Sequence, residues 1–369
     1  DNPITIDELK RARANIMKQL DQISRNSGYM GTYMSEFIGA GDWRLAFIHR
    51  DRIESTSVEE VNAAVQKYFI PTNRTIGNFI PTDKPERVEI LHTEGLAEMV
   101  ASYKGKVAME VGEDFDVNYD NIQNRLDSGI LPKSGIEYGF INKANRGETV
   151  TLSFTIRTGN VDDYMNKGMT AGFVASLLNK GTQSRSRQDI EDALSAISSS
   201  VGFGGSNGRV YANISSTKEN LPSALEIMTD MLKNPKFEIS ELDKIKTQRL
   251  ARLESSASDP QFVAAQRMSQ INQFYPKGHP NYSPNLDEQI AMINEVSIER
   301  VQSFFDAFYG ISDNASLVAI GSMDAEMVKI YFEDNFSDFK CDKPFLEIKN
   351  PFKQNVAANE NVITPDKKN

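Results

Sequence analysis

Gly168-Met169-Thr170-Ala171-Gly172-Phe173-Val174-Ala175-Ser176-Leu177-Leu178-Asn179-Lys180-Gly181-Thr182 is the stretch on which the fold turns. Ala171, Val174, Ala175 and Leu178 recur at helical spacing, which predicts an apolar-faced helix over 167–179. Upstream, Glu148 to Thr158 alternates like a strand, with Val150, Leu152, Phe154 and Ile156 on one side. Downstream, Ser186 opens a capped helix and Arg209 to Ser216 alternates again. Helices are then expected at about 218–233, 240–257, 260–273, 286–293 and 297–309. Ala315 to Gly321 reads as an apolar strand and 324–336 as a closing helix. Residues 131–340 are thus expected to form one complete α+β unit, a mostly antiparallel sheet with helices packed on one face.

The N-terminal part carries the same signals. Thr5 with Glu8 makes a capping box opening a helix over 5–24, and a second helix at 29–38 stops near Gly39-Ala40-Gly41. Ser57 with Glu60 opens another, striped by Val58, Val61, Val65 and Phe69, and Arg74 to Phe79 reads as a short strand. An internal repeat follows from these signals. Ser240-Glu241-Leu242 opens a long helix as Thr5 to Leu9 does. Ser297-Ile298-Glu299-Arg300-Val301 then begins a helix ending in Phe308-Tyr309, as Ser57-Val58-Glu59-Glu60-Val61 begins one ending in Tyr68-Phe69. Each pair is followed by Asn, a short strand and Gly. Residues 1–81 therefore read as the C-terminal part of one domain, and 131–340 as a whole domain of the same kind. The chain is expected to start inside a repeat, with a parent extending upstream. Residues 82–130 are polar and weakly periodic, with one possible helix at 93–103, and read as a linker. Residues 341–369 read as the start of a further domain.

Composition narrows the function classes. Hydrophobic residues make up 39% and charged residues 25%, ordinary for a folded globular chain of two or three domains. No run approaches the roughly 18 apolar residues of a membrane helix, so no membrane span is expected. The net charge of −10 argues against a nucleic-acid partner. Cys341 is the single cysteine and cannot make an internal disulfide. Asp1-Asn2-Pro3-Ile4-Thr5 has no feature of a signal peptide, so the chain is expected to be processed or excised.

The candidate chemistry is sparse. His49, His92 and His279 are the only histidines, and no H-x-x-H, H-E-x-x-H or H-x-x-E-H pair exists. His49 is placed near a strand or turn, and His279 in the rigid loop Pro276-Lys277-Gly278-His279-Pro280; both read as structural. Gly204-Gly205-Ser206-Asn207-Gly208 matches G-x-S-x-G, but a nucleophile elbow needs a strand before it and a helix after it. Here a helix precedes and a strand follows, so a flexible turn is the better reading. The same segment lacks the Lys of a phosphate loop and the third Gly of a dinucleotide loop. Lys180, Arg185 and Arg187 form a small basic patch, read as a solvated loop or an anchor for an acidic peptide or carboxylate.

The run Gly168 to Thr182 resembles the motif helix of the insulinase/pitrilysin family of zinc peptidases, where H-x-x-E-H is followed by a similar Lys-Gly-Thr. Ser186-Arg187-Gln188-Asp189-Ile190, Asn234-Pro235-Lys236-Phe237, Glu241-Leu242 and Asp259-Pro260 are also similar to that family. Gly41-Asp42-Trp43-Arg44, Arg50-Asp51-Arg52-Ile53 and Tyr68 to Gly77 resemble the end of a preceding domain. Ile363-Thr364-Pro365-Asp366-Lys367 resembles the first strand of a following one. The resemblance implies repeated α+β domains in two halves that close over a chamber, where polypeptide is cut at a zinc held in one half.

The departure from that pattern is as informative. Gly172 stands at the position of the first His, Ala175 at that of the Glu, and Ser176 at that of the second His. Glycine and alanine offer no donor atom, a serine hydroxyl is a poor zinc ligand, and no carboxylate remains to activate water. The third ligand, a Glu further along, would fall near Arg252, with Glu254 close by. The resemblance therefore implies a non-catalytic portion of a bacterial metalloendopeptidase, with no metal or other cofactor in this chain and zinc in the parent protein. The implied partners are the catalytic N-terminal half of the same protein and an unfolded or short polypeptide. Phe203, Gly204, Gly205 and Ser206 are the candidate peptide-binding residues, since glycine permits close backbone approach and Phe203 offers an apolar contact. A periplasmic or envelope site is what family analogy favours. The competing expectation is a peptidase-derived assembly protein without proteolytic activity.

Overall fold

The chain divides into two units, Asp1–Val111 and Gly112–Asn369. The computed structural model describes residues 2–73, 95–105, 111–350 and 361. The strand expected at 74–79, His92, and the segment 363–367 lie outside the described residues.

The first unit is helical: α1 (Ile6–Arg25), α2 (Ser27–Gly39), α3 (Leu45–Ser55), α4 (Val58–Tyr68) and α5 (Leu96–Ala101). The two capping boxes read from the sequence are both made, Thr5 with Glu8 at α1 and Ser57 with Glu60 at α4. The Asn62 side chain on α4 accepts from the Ile4 N–H at 2.9 Å, and the Arg13 guanidinium on α1 donates to the Thr56 carbonyl, which ties α1 to the start of α4. His49 sits within α3, not in a strand or turn. That helix has no side-chain cap and only a short buried stripe, centred on Ala46, so little in its sequence announces it.

The second unit opens with α6 (Tyr119–Arg125), β1 (Leu126–Ile130), β2 (Glu137–Asn142) and β3 (Thr149–Arg157). Then come α7 (Val161–Tyr164), α8 (Thr170–Leu178), α9 (Arg187–Ala196) and the hairpin of β4 (Ser200–Ser206) and β5 (Arg209–Thr217). Helices α10 (Leu221–Lys233), α11 (Ile239–Ser256), α12 (Pro260–Asn272), α13 (Leu286–Glu295) and α14 (Ile298–Phe308) follow, and β6 (Asn314–Gly321) and α15 (Ala325–Phe336) close the unit. Among the described residues six strands form one sheet in the order β1-β2-β6-β3-β5-β4; β2 and β6 run parallel and every other neighbouring pair is antiparallel.

Strand periodicity places the core. Val150, Leu152, Phe154 and Ile156 of β3, Val210, Ala212 and Ile214 of β5, and Leu317 and Ala319 of β6 all point to one face and are buried. Against them pack Phe173, Val174 and Leu177 of α8, Leu225 and Met228 of α10, and Phe332 and Phe336 of α15. On the opposite face Val318 and Ile320 of β6 are 54% and 45% exposed. The buried carboxylate of Glu333 accepts the backbone N–H groups of Lys133 and Ser134, fixing the β1–β2 turn to α15.

The helical order of the first unit recurs in the second. α1 to α4 have 20, 13, 11 and 11 residues, and α11 to α14 have 18, 13, 10 and 11. In both series the first helix packs against the third.

Candidate functional site

The site is assembled from α8, the outermost strand β4, and α11. Among the described residues β4 pairs with β5 alone, with Gly202 opposite Asn213, Phe203 opposite Ala212 and Ser206 opposite Arg209. A two-residue turn, Asn207-Gly208, closes the hairpin, with Gly208 in the left-handed region at φ 78°. The flexible turn expected at 204–208 is thus a strand followed by a tight turn, and Ser206 precedes another strand rather than a helix, so no nucleophile elbow forms. The glycines are held in strand geometry from outside. The Tyr211 ring lies over Gly204, where a Cβ would come within 2.4 Å of its hydroxyl oxygen.

Asn179, just past the end of α8, acts as a substitute strand at the edge. Its Oδ1 accepts from the Phe203 N–H at 2.9 Å, and its Nδ2 donates to the Phe203 carbonyl at 3.1 Å and to the Ala175 carbonyl at 2.9 Å. Because alternate residues of an antiparallel strand turn their backbone groups to opposite sides, Val201 and Gly205 share the outward direction of Phe203. The Phe203 ring is half-buried and packs against the cluster of Ile190, Leu194, Ile227 and Met231.

Gly172, Ala175 and Ser176 lie one helical turn apart on α8, facing β4 and α11. A Cβ at Gly205 would stand 3.3 Å from the Ala175 Cβ and 2.9 Å from the Arg209 carbonyl oxygen, so small residues on both elements permit this approach. Arg249 reaches over from α11. Its Nη2 donates to the Gly172 carbonyl at 2.9 Å and to Ser176 Oγ at 2.8 Å, and its guanidinium carbon is 3.9 Å from the centre of the Phe173 ring. Ser176 Oγ donates in turn to the Gly172 carbonyl at 2.7 Å. Burial, and then the neighbouring Arg252 charge, pulls the Arg249 pKa below the ordinary arginine value.

This set does not fit zinc. Gly172 and Ala175 carry no ligand atom, and the guanidinium over Ser176 presents only N–H donors. Among the described residues no group of three or more His, Cys, Asp and Glu is placed to hold a metal. Glu254 is exposed on α11. His279 stacks on Tyr275 with ring centres 4.3 Å apart and accepts the Asn281 N–H.

Between α8, α11 and β4 lies a cleft of about 340 Å³ lined by Ser176, Asn179, Lys180, Phe203, Gln248, Arg249 and Arg252. Of the basic patch read from the sequence, Arg185 is bound by Asp230 and Arg187 by Glu191, each at 2.7 Å, while Lys180 lines this cleft. Arg249 and Asn179 went unread in the sequence. Arg249 lies 73 residues from Ser176 and Asn179 lies 24 from Phe203, separations at which a lone Arg on an amphipathic helix reads as solvated.

Residues 140–285 match the family model described as Insulinase (Peptidase family M16). The mitochondrial-processing peptidase subunit beta of Dictyostelium discoideum is 22% identical over 205 residues, 55% of this chain and 42% of that protein. Cytochrome b-c1 complex subunit 1 of Caenorhabditis elegans is 25% identical over 123 residues, 33% of this chain and 26% of that protein. The chain thus spans less than half the length of either relative. The solved structure of a peptidase M16 inactive domain from Pseudomonas fluorescens shares the fold, with a TM-score of 0.52 at 19% identity, covering 62% of this chain and 54% of that one. Taken with the mostly antiparallel sheet and the helices packed on it, the match makes residues 140–285 of this chain similar to the insulinase family, peptidase family M16.

Proposed function

We propose that this chain is the non-catalytic portion of a bacterial zinc-dependent metalloendopeptidase, forming one wall of a chamber that holds extended polypeptide. The observation that carries the reading is the Arg249 guanidinium seated on Gly172 and Ser176, where the resembling peptidases hold their metal. The helix is retained for packing, with Phe173, Val174 and Leu177 in the core, while its chemistry is absent. Beside it β4 lies at the edge of the described sheet; Asn179 already holds the Phe203 backbone groups there, so an extended segment would pair with the remaining outward backbone groups of β4. Zinc and the catalytic carboxylate then belong to a companion insulinase-family domain, the catalytic half of the same protein. Residues 1–81, with their recurring helix order, are the C-terminal part of a related domain, and the stretch from residue 82 up to α6 connects the two, since α6 and β1 belong to the second unit.

The test is binding without cleavage. A fluorescent unstructured peptide should raise its anisotropy with this chain and remain intact, with or without added zinc. Hydrolysis that follows zinc addition, or the absence of binding, refutes the proposal.

A second reading, an assembly protein derived from a peptidase, is favoured by the similarity to a cytochrome b-c1 complex subunit. It differs in one respect: the chain would hold a folded protein partner and leave the peptide unbound.

A further inference from the structure

The cleft between α8 and α11 is cationic in a chain of net charge −10. Lys180, Arg249 and Arg252 line it, and among the described residues no carboxylate does. Among the described residues none of the three is in an ion pair, whereas the neighbouring Arg185 and Arg187 are both matched by acids. Both side-chain hydrogen bonds of Arg249 leave from Nη2, so Nε–H and Nη1–H have no protein acceptor among the described residues. Two guanidinium groups three residues apart on one helix repel each other, and burying a cation without a counter-ion is costly. Such an arrangement is relieved by an anion supplied from outside, and the planar fork of a guanidinium suits a carboxylate. Gln248 adds a neutral hydrogen-bonding group to the lining, while Ser176 and Asn179 already donate to the Gly172, Ala175 and Phe203 carbonyls.

The location narrows the ligand. Phe203 belongs both to the cleft and to the edge strand, so a chain that passes the edge of β4 beside Asn179 would bring its own groups to the cleft. We infer that this cleft is a subsite for a carboxylate of an extended peptide, either an acidic side chain or the peptide's C-terminus, gripped by Lys180, Arg249 and Arg252. The inference rests on the peptide-wall reading and adds a preference to it.

Three labelled decapeptides of alternating Thr and Val separate the possibilities by anisotropy at low salt. One ends in Glu-Glu with a free C-terminus, one in Gln-Gln with a free C-terminus, and one in Gln-Gln amide. The first should bind about ten-fold more tightly than the amide, the worth of one charge-assisted pair. The second then assigns the carboxylate: matching the first points to the C-terminus, and matching the amide points to the side chain. Lys180→Gln/Arg252→Gln, which alters two side chains bonded to nothing else described, should bring the first and third to equal affinity with an unchanged circular dichroism spectrum. Equal binding of acidic and neutral peptides to the parent chain overturns the inference and leaves the peptide wall standing. Binding of none overturns both. Binding of inorganic phosphate without any acidic-peptide preference also overturns it, since the cleft would then be a free-anion site.

Discussion

Gly205→Ala and Gly202→Ala change the same edge strand by one methyl group on opposite faces, and their effects should have opposite signs. At Gly205 the new Cβ would lie 2.9 Å from the Arg209 carbonyl oxygen and 3.3 Å from the Ala175 Cβ. Both obstacles are firm. One is backbone inside the hairpin, and the other is a residue of α8 that is only 2% exposed. Relief requires β4 to move off α8, which also strains the two hydrogen bonds Asn179 makes to Phe203. Overpacking of this kind costs about 1–3 kcal/mol. At Gly202 a Cβ would meet nothing within 4 Å, and replacing a strand glycine there gains roughly 0.5 kcal/mol from the smaller entropy of the unfolded chain. The two variants should therefore differ by about 2 kcal/mol in urea denaturation followed by circular dichroism, with Gly205→Ala the weaker. Equal midpoints would refute the packing assigned to Gly205. It would then be free to serve peptide approach alone, as its sequence context first suggested.

Other expectations are as direct. Asn179→Ala should cost about 1–3 kcal/mol, because it strips the Phe203 N–H and C=O of their partners, and should raise light scattering as the edge opens to self-pairing; an unchanged midpoint would disprove the clamp. Burial alone would raise the Asp230 carboxyl, but bonds from Thr182, Asn234, Ser184 and Arg185 together hold it below the usual aspartate value. A depressed folded pKa gives stability that is present above the unfolded pKa, about 3.9, and lost as pH falls through the folded one. Asp230→Asn should therefore be less stable than the parent at pH 6 and lose less on acidification from pH 5 to 3; parallel pH curves would contradict this. Elemental analysis of the purified chain should find far less than one zinc per molecule, and one equivalent displaced by changing Ser176 would overturn the reading of α8.

Periodicity carried most of the architecture. The apolar alternation of β3, β5 and β6 and the stripe of α8 are local signals, because each element buries a face of its own. β4 was hidden for the opposite reason. Its glycines have low strand preference, and what holds them extended is Tyr211 across the hairpin and Asn179 beyond the helix. β1 and β2 likewise lack a strong pattern, and β2 is fixed by pairing with β6, far along the chain. The lost motif at Gly172, Ala175 and Ser176 was legible only through a family resemblance. The guanidinium that sits on it was not, since nothing within a few residues of Arg249 marks its destination.

The position of β6 between β2 and β3 sets a schedule for the chain as it is made. β3, β5 and β4 can zip together once residue 217 has emerged, but β2 has no place until β6 arrives from residues 314–321. At typical synthesis rates the intervening stretch takes about 5–20 s. Through that interval the open side of β3 and the apolar faces of Phe140 and Phe154 await Leu317 and the Phe332–Phe336 pair of α15. A nascent chain stalled before β6 would hold half a sheet with a raw central edge, which is where a chaperone has most to protect and where a truncated product would first aggregate.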